Sequence, residues 1–338
     1  MRTKLQKSSL AILVFIGFSF LVVSFGWRNL SSPMNLAQTG EWLEINQGAS
    51  LSSVARELDD RNIIEFPSLF SIYARMRQEA TRIQAGEYLI RPETTARELL
   101  EQLVSGQVYL HQITFVEGWT FSDVVTALQN NSAIDSNDFK SEMVMTDLGR
   151  PDLHPEGQFF PDTYSFPRNT KALEVLKQAN TALNDRLQSS WANKTSESGL
   201  KNPYEALILA SIIEKESKLA SERKIISGVF HRRLELNMRL QADPTVIYGL
   251  GNEFEGDLNR ENLTNDTPYN TYTRHGLPPT PISLVGQGSL SAAVDPEIGS
   301  ALYFVATGNI DGSHYFSSTL EEHNKAVKRY LQIMEDAH

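Results

Sequence analysis

One long uninterrupted apolar run is followed by many short periodic segments. Residues 8–27 (SSLAILVFIGFSFLVVSFGW) carry no charge, and the run is about the 20 residues that a bilayer core requires. Arg2, Lys4 and Lys7 precede it and Arg28 follows. That bias predicts a single-pass anchor in the inner (cytoplasmic) membrane, with the N-terminus in the cytoplasm and the remainder periplasmic. A cleaved signal peptide is the competing reading, but the run exceeds a usual signal core. Residues 28–40 are polar, with Ser, Pro and Gly, and read as a tether. From Trp42 the pattern predicts a strand and then a helix capped by Ser50, whose apolar stripe is Leu51, Val54, Ala55 and Leu58. FPSLFSIYARMRQ predicts a second helix, residues 85–90 a strand, and residues 94–106 a third helix, opened by Thr94 or Thr95 and closed by Gly106.

The pattern recurs about 70 residues later. QGASLSSVARELDDRNII (47–64) aligns with EGWTFSDVVTALQNNSAI (117–134), matching Gly48 to Gly118, Ser50 to Thr120, Val54 to Val124 and Leu58 to Leu128. AGEYL (85–89) aligns with EGQFF (156–160). Two copies of a strand–helix–helix–strand–helix unit account for this, with the glycine serving turn geometry. Residues 168–195 read as a polar amphipathic helix. Two helices follow, at about 203–218 and 222–236. The chain ends with a hairpin (302–318) and a helix opened by a Ser318–Glu321 capping box.

Composition narrows the chemistry. The 338 residues carry a net charge of -10, which argues against a nucleic-acid surface. There is no cysteine, so disulfides, thiolate metal sites and Cys nucleophiles are excluded. The 7 histidines lack metal-ligand spacing, and no metal or cofactor is expected; His314 and His323 read as structural or exposed.

The segment LILASIIEKESKLASE (207–222) concentrates the interest: a stretch fit for burial ends on Glu214 and Glu216. On a helical wheel Glu214 continues the apolar sector, beside Leu207, Ala210, Ser211 and Ser217, while Glu216 points nearly opposite. The two acids cannot share one pocket as a glycosidase pair. The small neighbours Ser211 and Ser217 leave room for a ligand at Glu214, whereas Glu216 is expected to meet solvent or a basic partner. Glu214 is therefore the candidate proton donor, kept protonated by burial; the plainer alternative is an i,i+4 pair with Lys218. Downstream, Asp243 before Pro244 reads as a helix N-cap that orders the wall of a cleft. The loop DTPYNTYTRHGLPPTPIS (266–283) offers Asn270 to an acetamido or hydroxyl group and Tyr269 and Tyr272 to a sugar face. A self-bonded Asx/Pro turn is the competing account of Asn270.

ASIIEKES, RLQADPTVIYGLG, PYNTYTRHGLPPTPIS and YFVATGNIDGSHYFSSTLEEHN, with EGQFFPDTY (156–164), together resemble the MltG (YceG-like) family of endolytic murein transglycosylases. Residues 41–108 resemble a LysM-like module, a type that binds N-acetylglucosamine-containing glycans. The resemblance implies cleavage of the β-1,4 bond between N-acetylmuramic acid and N-acetylglucosamine in nascent peptidoglycan, leaving 1,6-anhydro-muramyl ends. It implies that Glu214 is the catalytic acid, adds Glu156 to the substrate-binding candidates, and suggests action near penicillin-binding synthases. The expected fold is α+β: a tail (1–7), a transmembrane helix (8–27), a linker (28–40), a LysM-like subdomain (41–108), a second repeat-like subdomain with a connecting helix (109–200) and a mixed catalytic domain (201–338). A non-catalytic, membrane-tethered glycan-binding scaffold is the competing functional reading.

Overall fold

The computed structural model describes residues 2–336. Its Cα traces form two compact units, residues 1–111 with 166–169, and residues 112–165 with 170–338. Both mix helices with short two-stranded sheets.

The first unit begins with helix α1 (Arg2–Ser31), which contains the apolar span Ile12–Ser31. Then come β1 (Glu41–Ile45), α2 (Leu51–Asp60), α3 (Pro67–Met76), β2 (Gly86–Ile90) and α4 (Ala96–Ser105). The strands pair antiparallel, with Leu43 opposite Tyr88 and Ile45 opposite Gly86. Alternation then drives Leu43, Ile45, Tyr88 and Ile90 inward, onto Leu51, Val54 and Leu58 of α2 and Leu99, Leu100 and Leu103 of α4. The caps fall where local chemistry puts them. The Ser50 side chain accepts the Ser53 amide, and Thr95 and Glu98 form a reciprocal capping box. Gly106 ends α4 at φ 69, a left-handed conformation that suits glycine.

The second unit carries the repeat and the site. β3 (Leu110–Thr114), which begins in the first unit, is followed by α5 (Phe121–Asn130), β4 (Ile134–Asp135), α6 (Val144–Asp147) and β5 (Thr163–Pro167). β3 pairs with β5, as β1 pairs with β2, so the strand pairing recurs, but EGQFF (156–160), aligned in the sequence with the β2 segment, lies in the loop before β5 rather than in a strand. Then come β6 (Thr170–Lys171), parallel to β4, and α7 (Ala172–Ala192). α8 (Pro203–Glu216), α9 (Arg223–Glu235), α10 (Asp243–Leu250), α11 (Arg260–Thr264) and α12 (Gln287–Val294) follow, and β7 (Tyr303–Ala306), β8 (His314–Ser317) and α13 (Leu320–Asp336) close the chain.

α8 is the centre of this unit. Asn202 caps it through the Glu205 amide, and Pro203 opens its first turn. Residues 206–213 are all buried, packed by α7, α9, α10 and α12. Phe160, Leu183 and Leu187 share one core with Leu207, Leu209 and Ile213. Residues 109–200 thus do not separate as a subdomain: from 112 onward, apart from 166–169, they join the candidate catalytic region. Two caps differ from expectation. The box opening α13 is Thr319 with Glu322 rather than Ser318 with Glu321. Asp243 is the first residue inside α10, the N-cap being Ala242, because its carboxylate is drawn to a long-range partner.

Candidate active site

α8 stops abruptly after its two acids. Ser217 has left the helical region (ψ 114), and its hydroxyl donates to the Leu219 carbonyl at 2.7 Å. Glu214 and Glu216 therefore project from the last turn of a rigid helix, to different surroundings.

Glu214 meets cationic and backbone donors. One carboxyl oxygen accepts Arg223 Nη2 at 3.1 Å and the other accepts the Gly286 amide at 2.9 Å, at the N-terminal end of α12. Its side chain is only 5% exposed. Glu117 shares the cation, 3.7 Å from Arg223 Nη2. Burial and the neighbouring Glu214 push the Glu117 carboxyl above the usual range, with Arg223 acting the other way. A β-carbon at Gly286 would push aside the Glu117 carboxylate, the half-exposed end of a flexible side chain. Lys215, between the acids, donates to the Gly118 carbonyl at 3.2 Å. The basic partner of Glu214 is thus Arg223, on the next helix, rather than Lys218.

Glu216 faces a cavity of about 530 Å³, lined also by Arg233, Asp243, Tyr272, Tyr303 and His314. Among the described residues, no ion pair or hydrogen bond holds its carboxyl. Burial, reinforced by the charge of Asp243 and partly offset by Arg233, pushes Glu216 up to about 8. Asp243 accepts the Tyr272 hydroxyl at 2.5 Å. Arg233 is fixed by the Leu240 and Leu302 carbonyls, each at 2.7 Å, and lies over the Tyr303 ring. Such a cavity holds a protonated acid, a carboxylate, a guanidinium and aromatic faces together.

Most of the other sequence candidates serve the scaffold. Ser211 is fully buried; its hydroxyl donates to the Ile208 carbonyl and accepts the Ile282 amide. Ser217 is spent on Leu219. The Asn270 amide donates to the carbonyls of Asn262, Leu263 and Asn265, and its oxygen accepts the Tyr272 amide. This is the self-bonded turn, which leaves nothing for an acetamido group but sets the position of Tyr272. Tyr269 bonds Thr280 and packs edge-on to Tyr248, outside the lining of the Glu216 cavity. Glu156 is buried, accepting the Phe121 amide and the Tyr248 hydroxyl. Of the loop residues expected at the site, only Tyr272 lines the cavity that Glu216 faces, and none meets Glu214. Glu117, Arg223, Arg233 and Tyr303 carry no signal in the sequence that singles them out, and His314 read there as structural or exposed.

The profile of the YceG-like family matches residues 43–329. The chain belongs to the YceG-like family. It is 32% identical to an endolytic murein transglycosylase of Bacillus subtilis (strain 168), across 94% of this chain and 91% of that protein. A protein of the same description from Streptococcus pneumoniae serotype 2 (strain D39) is 25% identical over 85% of this chain, but the match spans only 58% of the pneumococcal protein. A crystal structure of a putative YceG-like protein from Listeria monocytogenes superposes with a TM-score of 0.53 at 30% identity, covering 86% of this chain and 99% of that one.

In this YceG-like chain the buried acids couple stability to pH. Burial pushes Glu156 up to about 7, against the hydrogen bonds from Phe121 and Tyr248. A carboxyl whose folded pKa is raised favours the fold fully below its unfolded pKa, and that contribution is lost as pH rises through the folded value. Thermal stability should therefore decline between about pH 4.5 and 8, both acids contributing from about 4.5, Glu156 up to about 7 and Glu216 up to about 8. Glu156→Gln keeps an acceptor for both donors and should flatten the decline up to about pH 7. Melting curves of the two proteins across this range check it; parallel slopes would refute the coupling.

Proposed function

We propose that this chain is a membrane-anchored endolytic murein transglycosylase whose acid–base group is Glu216. The observation that carries the assignment is the free Glu216 carboxyl, facing a cavity with Asp243 and Tyr272 and retaining its proton to about pH 8. The resemblance points instead to Glu214, whose two oxygens are engaged by Arg223 and Gly286.

The chemistry follows from one carboxyl in two states. Protonated Glu216 gives its proton to the bridging oxygen as the bond from muramyl C1 breaks. The resulting carboxylate then takes the proton of the muramyl C6 hydroxyl, whose oxygen closes on C1. The 1,6-anhydro ring forms, Glu216 is protonated again, and no water is consumed. An internal nucleophile carries a large effective concentration, so a second activated group is not needed. Asp243 places negative charge in the same cavity, suited to the cationic character that develops at C1, and Tyr272 fixes its orientation.

The pairing of Glu216 with Asp243 in one cavity favours a second reading, hydrolysis with Asp243 activating water. Mass spectrometry of digested glycan strands separates the outcomes. Anhydro-muramyl ends support the transglycosylase, reducing ends support hydrolysis, and uncut strands support a binding scaffold.

The span Ile12–Ser31 supports the anchor, and the basic residues before it support a cytoplasmic N-terminus. The strand–helix–helix–strand order of β1 to β2 supports a LysM-like module that holds the glycan.

A further inference from the structure

α3 has apolar residues on two faces. Phe70 and Ala74 turn into the core of the first unit. Phe66, at the N-cap, and Leu69, Ile72 and Met76 recur every three or four residues and form a second stripe, of which Leu69 also reaches the core. One end of that stripe touches α1. The Phe66 ring meets Phe25 edge-on, with centroids 5.5 Å apart, and Leu69 Cδ1 lies 3.4 Å from the β-carbon position of Gly26. The rest is uncovered: Ile72 is 51% and Met76 79% exposed, and Phe66 keeps 40% exposure beside Phe25.

The position of these contacts along α1 decides what covers the stripe. Phe25 and Gly26 lie within the apolar run 8–27 and within the helical span Ile12–Ser31. A residue touching that part of α1 therefore sits at the depth of lipid. The flanking residues suit a membrane boundary. The Arg97 guanidinium lies 4.3 Å from the ring centroid of the half-exposed Trp27, and Arg28 and Arg75 add positive charge in a chain whose net charge is -10.

We propose that α3 is an interfacial helix, with Phe66, Ile72 and Met76 seated in the bilayer surface from which α1 emerges. It is a second membrane contact beyond the span, and it holds the first unit against the lipid. The proposal rests on reading Ile12–Ser31 as a span.

The absence of cysteine makes the test direct. Full-length Met76→Cys, Ile72→Cys and Phe20→Cys each carry one bimane label, in nanodiscs holding a single copy. Quenching is read with lipids brominated near the headgroup or deep in the acyl chain, and with iodide in the water. The Met76 and Ile72 labels should lose most of their emission to shallow bromines and little to iodide, while the Phe20 label responds to deep bromines. Iodide quenching of both α3 labels, with Phe20 still in lipid, would overturn the interfacial helix and leave the span intact. Iodide quenching at Phe20 would overturn both readings. Shielding of the α3 labels only in discs holding several copies would make a second copy the occupant and also overturn the proposal.

Discussion

Glu216→Gln should form anhydro-muramyl ends about 10²–10⁴-fold more slowly than the native chain, the usual worth of general acid–base catalysis. Glutamine keeps the shape and polarity of the side chain but can neither protonate a leaving oxygen nor take a proton from a hydroxyl. Fold and glycan binding should survive, because no ion pair of Glu216 is lost. In the native chain the proton-donating limb of the rate should fall as pH rises through about 8, the value to which burial carries Glu216. Glu214→Gln supplies the contrast. It removes one of the two negative partners of Arg223, Glu117 being the other, but leaves the Glu216 cavity intact, so its product should form with an unchanged alkaline limb. Product lost in a folded Glu214→Gln protein but retained in Glu216→Gln would return the catalytic role to Glu214.

Arg223→Met should be the most destabilising single change near the site. Glu214 is 5% exposed and Arg223 17%, so removing the cation leaves a buried carboxylate beside Glu117 with only the Gly286 amide to hold it. Breaking a buried pair from one side costs about 3–5 kcal/mol, and the partial exposure of Arg223 favours the lower figure. At about 3 kcal/mol the melting temperature should drop by roughly 6–12 °C for a unit of this size. Combining it with Glu214→Gln should recover much of that loss, because the orphaned charge is then gone. Melting curves of the singles and the double test this cycle; a single variant as stable as the native protein would show that the ion pair contributes nothing.

What the sequence made legible was local. Ser50, the Thr95–Glu98 box and Gly106 act within one helical turn, and the stripe of Leu51, Val54 and Leu58 follows from helical period alone. The 70-residue recurrence was visible because both copies keep the same turn glycine and apolar spacing. The site was less legible because its partners are remote. A helical wheel separates Glu214 from Glu216 but does not say what packs on either side. The contrast depends on Arg223 across the break after α8, and on Asp243 and Tyr272, neighbours only in three dimensions. Asp243 shows the same limit. Asp before Pro resembles a cap, but a hydroxyl 29 positions away takes its carboxylate. Asn270 went the other way: nearby backbone, from α11 to Tyr272, satisfies it, as the preference of Asn for turns suggests.

The burial of α8 on every side has a consequence for how activity is lost. Its amides from 206 to 213 are sealed by α7, α9, α10 and α12, so no small local fluctuation uncovers them. Their hydrogens should exchange with solvent mainly through opening of the second unit as a whole. The acid mounted at the end of this helix therefore does not loosen by degrees under heat or denaturant: it keeps its place until the cooperative transition, and the site disappears with the fold.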